Sequence, residues 1–84
     1  MLTLYLQIGL KKMNYIEHRY CTSIYPAKVI QKAITAYTQI AKISSRSDGD
    51  YTICAFSCTL IDASLVANEF DNYLIELLNS QEAK

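Results

Sequence analysis

An Asp48-Gly49 dipeptide lies between two runs of β-prone residues, 43–47 and 50–59. Asp-Gly in this setting is a strong hairpin signal, because the favoured two-residue turns need positive φ angles at central residues. The turn constrains the rest of the chain, since it fixes which residues of the following strand share a face. The predicted pairs are Ser47 with Asp50, Ile43 with Cys54, and Ala41 with Phe56.

Two of the three cysteines, Cys54 and Cys58, fall in the second strand of this hairpin. Residues four apart in a strand share a face but lie about 13 Å apart. That separation is too long for a disulfide, which needs Cα atoms within about 7 Å, and too long for one shared zinc ion. We therefore predict that Cys54, Phe56 and Cys58 face the helices as apolar residues, and we expect no metal and no cofactor.

The first ten residues alternate strictly, with apolar side chains on one face and Tyr5 on the other. A period of two over nine residues predicts a half-buried strand. This strand would be an N-terminal extension, residues 1–13, of a core that begins near Met13. A second strand is predicted over residues 14–25, with alternate side chains on one face: Ile16, His18, Tyr20, Thr22 and Ile24.

Two segments have the period of amphipathic helices. In the first, Pro26 fits the first helical position, where its missing N–H costs nothing. Its apolar side recurs at three- and four-residue steps: Val29, Ile30, Ala33, Ile34, Tyr37, Ile40 and Ala41. The second is predicted to begin after an N-cap at Asp62. Its apolar side comprises Ala63, Val66, Phe70, Tyr73, Leu74, Leu77 and Leu78.

The element order is therefore β-β-α-β-β-α in a single domain spanning residues 1–84. Two helices covering one face of a sheet is the natural two-layer arrangement for such a chain. The sequence predicts an α+β two-layer sandwich with both helices on one face of a mostly antiparallel, four-stranded sheet.

The formal net charge of zero provides no overall basic field for nucleic acid, so no nucleic-acid partner is expected. The initial apolar run is too short to span a membrane and carries its lysines after the run, unlike a signal peptide. An odd number of cysteines without a disulfide pattern is typical of a reducing compartment. A cytoplasmic protein without a membrane partner is therefore expected.

No known catalytic motif is present in the sequence. His18 is the only histidine, and we expect it at a surface or an interface. The acidic residues Glu69, Asp71 and Glu76 predict a solvated flank of the second helix, facing Lys28 or Lys32. An alternative is a small thiol-dependent or acid/base enzyme that uses Cys21, Cys54 or Cys58.

A stripe of Asn68, Asn72 and Asn79 surrounds Ile75 on the outward side of the second helix. Asparagine is a poor helix former, so three of them at this spacing suggest a hydrogen-bonding surface. The N-terminal strand, with Tyr5 outward, could pair with a second copy or with an extended peptide. The predicted partner-binding residues are Tyr5, Asn68, Asn72, Ile75 and Asn79, and a homodimer is expected. A purely structural oligomerisation module is a further alternative.

Three stretches, SIYPAKVIQKAITAYTQIAKI, YTICAFSC and NEFDNYLIELLN, resemble the small HxsD-like proteins. These are companions of radical SAM enzymes in His-Xaa-Ser-type peptide-maturation systems. The most telling piece comprises Glu69, Phe70, Asn72, Tyr73 and Leu74, whose roles we expect to be structural. The resemblance covers about residues 14–79 and brings no catalytic residues. It implies a non-catalytic accessory protein that binds a peptide or protein partner, either a radical SAM enzyme or its precursor peptide.

Overall fold

Three antiparallel strands and two helices make up the part of the chain that the structure, a computed structural model, describes: residues 14–80. In chain order the elements are β1 (Asn14–Cys21), α1 (Ala27–Tyr37), β2 (Lys42–Asp48), β3 (Tyr51–Cys58) and α2 (Ala63–Leu78). The strand order is β1-β3-β2, and β3 pairs antiparallel with both neighbours. The last strand in sequence is therefore the central strand of the sheet.

The predicted α+β class is confirmed, but the prediction of a four-stranded sheet is wrong, because the described sheet has three strands. The additional strand was assigned to residues 1–10 from their alternation alone, and these residues lie outside the described range. The sequence also predicts a strand over residues 14–25, whereas β1 ends at Cys21. The chain turns there, because the backbone N–H groups of Ile24 and Tyr25 both donate to the Cys21 carbonyl.

The hairpin is confirmed, although its turn lies one residue later than predicted. Asp48 pairs with Tyr51, so Gly49 and Asp50 occupy the two central positions of the turn. Gly49 has a φ of 63°, and no other residue of the described chain has a positive φ. Glycine at the first central position is the pattern of a type II′ turn, which spares Asp48 a positive φ. Ile43 consequently pairs with Phe56, and Cys54 with Ser45.

Both helices pack on one face of the sheet, around two phenylalanines. Phe56 of β3 and Phe70 of α2 are fully buried, and their ring centroids lie 5.0 Å apart in an edge-to-face arrangement. Residues from both helices surround this contact: Val29, Ile30, Ala33 and Leu74. Cys54 and Cys58 lie on the same side of β3 as Phe56 and are buried, as the sequence predicts. The two helices therefore cover the central strand.

The start of each helix is defined by a local interaction. Asp62 is the N-cap of α2, as predicted, and its side chain accepts a hydrogen bond from the Ser64 backbone N–H at 2.9 Å. Pro26 is the N-cap of α1 rather than its first helical residue. Asn14 also fixes the start of α2, because its amide donates to the carbonyls of Cys58 and Ile61 and accepts from the Ala63 N–H.

Candidate functional site

A polar cluster joins the first strand to the last helix. β1 directs His18 and Tyr20 toward the helices, and α2 places Asp71 opposite them. His18 Nδ1 lies 3.0 Å from Asp71 Oδ2, and the Tyr20 hydroxyl donates to Asp71 Oδ1 at 2.6 Å. We call these three residues the β1–α2 cluster. One carboxylate therefore holds two side chains of the strand.

The β1–α2 cluster rests on the aromatic core. The His18 ring packs edge-on against Phe56, with centroids 5.8 Å apart, and the Tyr20 ring lies 6.0 Å from Phe70. Burial of Tyr20, followed by its hydrogen bond to the Asp71 carboxylate, raises the pKa of the phenol well above its usual value. Tyr20 is thus a neutral hydrogen-bond donor at any ordinary pH.

The arrangement differs from the sequence-based expectation for both ionisable groups. His18, which we expect at a surface or an interface, is half-buried against the core, and Asp71, which we expect on a solvated flank, faces His18. Glu69 and Glu76 are exposed, as expected. Asp71 lies three residues before the buried Leu74, and residues at this spacing are neighbours on a helix surface. The sequence therefore indicates that Asp71 lies next to the buried side of α2.

The three cysteines have different environments. Burial, with a further contribution from Asp71, raises the pKa of the Cys54 thiol to about 11. Burial also raises the pKa of Cys58, and Asp62 adds to that effect. The pKa of Cys21 is instead lowered by its hydrogen bond with Ser23, whose hydroxyl oxygen lies 3.1 Å from the sulfur. The buried thiols therefore resist the ionisation that a nucleophile needs.

The predicted partner-binding residues Asn68, Asn72 and Ile75 are on the exposed side of α2, and Asn79, which is the C-cap of the helix, is also exposed. Tyr5 lies outside the described residues. Of the residues for which the sequence predicts a structural role, Phe70 and Leu74 are buried and Tyr73 is half-buried. Glu69 and Asn72 are exposed, so these residues contribute to both sides of the helix.

An apolar groove lies between the end of α1 and the start of α2. It has a volume of about 250 Å³ and is lined by Tyr37, Ile40, Ile61, Leu65, Val66 and Glu69. Ile40 is 45% exposed, Leu65 is 59% exposed, and the neighbouring Leu60 is 95% exposed. We call this the helix-end groove. The sequence pattern predicts Ile40 on the apolar side of the first helix, but α1 ends at Tyr37 and Ile40 is exposed at this groove instead.

The face of the sheet opposite the helices carries two ion pairs. Arg46 of β2 makes two hydrogen bonds to the Glu17 carboxylate of β1, at 3.0 and 3.3 Å. Arg19 lies 3.8 Å from Asp48, and its guanidinium carbon is 4.6 Å from the centre of the Tyr51 ring. Each pair joins a basic and an acidic side chain, so the two pairs add no net charge to this face.

Residues 14–80 contain no group of three or more histidine, cysteine, aspartate or glutamate side chains arranged to hold a metal ion. Within the same range, no helix combines the length and the apolar character needed to cross a membrane. Comparison of the chain with protein-family models, with curated proteins and with solved structures finds no match. The function must therefore be inferred from the surfaces of the molecule.

The raised pKa of Cys54 predicts a loss of stability in alkali. The folded state retains this proton to about pH 11, whereas the unfolded thiol loses it near pH 9. Unfolding therefore releases a proton in this window, and rising pH favours the unfolded state. Tyr20 acts in the same direction. We expect the contribution of Cys54 to the unfolding free energy to be constant below pH 9 and to fall by about 2 kcal/mol by pH 11.

Urea unfolding at several pH values measures this effect, with Cys54→Ala as the matched variant. The variant should lose less stability than the wild type between pH 9 and pH 11. Equal slopes for the two proteins would contradict the assignment of this effect to Cys54.

The same environments predict an order of thiol labelling. In the native protein, iodoacetamide should modify Cys21 first, because its pKa is lowered and it is not buried. Cys54 and Cys58 should react only after local opening. Peptide mapping by mass spectrometry gives the three rates, and Cys21→Ser should remove the fast reaction. Rapid labelling of Cys54 at neutral pH would show that its thiol is accessible and would favour a thiol enzyme.

Proposed function

We propose that this protein is a non-catalytic accessory protein that binds a peptide or protein partner in a radical SAM peptide-modification system. The resemblance of three stretches to the HxsD-like proteins supports the choice of system. The partner is then the radical SAM enzyme or its precursor peptide. The protein itself supplies a binding surface and carries no cofactor.

The observation that carries the proposal is the helix-end groove. Its rim has three exposed aliphatic side chains, Ile40, Ile61 and Leu65, and Leu60 extends the apolar surface along the neighbouring loop. Isolated apolar residues on a surface need no explanation, but several that line one concave site mark a contact for another molecule. Peptide recognition in grooves between helices commonly uses aliphatic anchors of this kind.

The environment of the ionisable groups supports binding over chemistry. Asp71 is hydrogen-bonded to the pair His18 and Tyr20, which is an arrangement that could orient a catalytic base. The neighbouring thiol on β3, that of Cys54, is fully buried and has a raised pKa, so it is unsuited to act as the nucleophile. The β1–α2 cluster accordingly serves to attach α2 to the sheet.

We further propose a cytoplasmic homodimer. Within residues 14–80, β1 pairs only with β3 and is therefore an edge strand of the described sheet. Such an edge can accept a second copy or a peptide. The three cysteines of this range are free thiols, which suits a reducing compartment.

The groove predicts the effect of two substitutions on partner binding. Replacing Ile40 and Ile61 with serine should raise the dissociation constant for the radical SAM enzyme or the precursor peptide at least tenfold. The reason is that both residues supply apolar area at the groove. Titration calorimetry with the two purified partners measures this. Ile24→Ser is the matched control, because Ile24 is also exposed but does not line the groove. Wild-type protein that binds neither partner would overturn the proposed function.

A further inference from the structure

The exposed side of α2 has regularly spaced residues, and only the first of them, Leu65, lines the helix-end groove. Its outward residues are Leu65, Asn68, Asn72 and Ile75, and the C-cap residue Asn79 follows them, so that the five are alternately three and four residues apart. Leu65 is 59% exposed and Ile75 is 47% exposed. We call this set the outer stripe. It lies opposite the buried side, where Val66, Phe70 and Leu74 contact the core.

Alternating spacings of three and four residues keep side chains in line along a helix and form a seam for a second helix. From Leu65 to its end at Leu78, α2 provides a surface about 21 Å long at 1.5 Å per residue, enough for two heptads. Asparagine at seam positions fixes the register of a helix pair at the expense of affinity. The two aliphatic residues and the three asparagines therefore suit a specific, moderately tight helix partner.

Acidic residues flank the outer stripe on one side. Glu69 and Glu76 directly follow Asn68 and Ile75, and they are seven residues apart. Both are exposed, and neither takes part in the ion pairs of His18, Arg19 and Arg46. Asp71, near the other side of the stripe, is already hydrogen-bonded to His18 and Tyr20. Residues at these flanking positions select partners of opposite charge in helix pairs.

We propose that the outer stripe binds one α-helix of the partner, a helix with aliphatic and amide side chains on its seam and lysine or arginine beside them. The aliphatic residues would contact Leu65 and Ile75, the amides would bond to the asparagines, and the basic residues would face Glu69 and Glu76. This inference rests on the proposed function and names the chemistry of the partner surface.

A second copy of the chain does not fit this stripe. In an antiparallel pair centred on Asn72, Glu69 of one copy would meet Glu76 of the other, and the same repulsion would occur twice. In a parallel pair, the residues opposite Glu69 and Glu76 would be Ser64 and Asp71 of the other copy, neither of which is basic. Like charges at these positions oppose association. Charge complementarity therefore favours a basic helix of another protein.

Fluorescence anisotropy of a labelled synthetic helix tests the proposal with the full 84-residue chain. The probe is a peptide of about three heptads with leucine and asparagine at its seam and lysine at its flanking positions. A second peptide has glutamate in place of each lysine. We expect the lysine peptide to bind at least tenfold more tightly than the glutamate peptide, and more weakly as salt is raised.

Two double variants locate the contact. Leu65→Ser with Ile75→Ser should weaken binding of the lysine peptide at least tenfold. Glu69→Lys with Glu76→Lys should reverse the preference toward the glutamate peptide. Asp48→Lys with Asp50→Lys changes the net charge equally, near the β2–β3 turn, and should preserve the preference. Circular dichroism confirms that each variant is folded.

The proposal is wrong if the two peptides bind equally or not at all. It is also wrong if the Glu69→Lys and Glu76→Lys variant still prefers the lysine peptide. A third contrary result is self-association of the protein that the Leu65→Ser and Ile75→Ser variant abolishes. The last result would make a second copy the occupant. If the probe fails while the radical SAM enzyme or the precursor peptide still binds, the helix inference is wrong and the proposed function stands. If both natural partners fail while the probe binds, the proposed function is wrong and the helix-binding surface stands.

Discussion

The contact between α2 and the sheet is the interaction on which the rest of this structure depends. Phe70 and Leu74 bury one side of α2 against Phe56 of the central strand, and Asp71 bonds to His18 and Tyr20 of β1. Apolar packing supplies most of the free energy, but it is not directional. The Asp71 hydrogen bonds are directional, and they fix the rotation of the helix about its own axis. That rotation decides which residues of α2 remain available to a partner.

Because α2 is fixed in this way, its two sides have separate tasks. The buried side completes the core of a small domain, and the exposed side presents Leu65, Ile75 and three asparagines beside two glutamates. The helix-end groove continues this surface toward α1 through Leu65. The proposed accessory role and the proposed basic helix partner therefore depend on the same element.

Local features of this chain could be predicted from the sequence, and features that depend on distant pairing could not. The Asp48-Gly49 hairpin, the Asp62 cap and the helix-facing side of β3 follow from turn chemistry and from periods of two and 3.6 residues. The turn position was wrong by one residue, because glycine alone takes the positive φ there. The β1–α2 cluster was missed because His18 and Asp71 are 53 residues apart and meet only through the order of the strands. The helix-end groove was not predicted, because α1 ends at Tyr37 and Ile40 therefore does not continue its buried side.

A double-mutant cycle between Tyr20→Phe and Asp71→Asn tests most directly whether the β1–α2 cluster holds α2 on the sheet. The unfolding free energies of the wild type, the two single variants and the double variant give the coupling between the side chains. The Tyr20 hydroxyl donates to Asp71 at 2.6 Å in a partly buried site, so we expect a coupling of about 1–2 kcal/mol. Additive effects, within about 0.3–0.5 kcal/mol, would contradict the account, because the orientation of α2 would then depend on apolar packing alone.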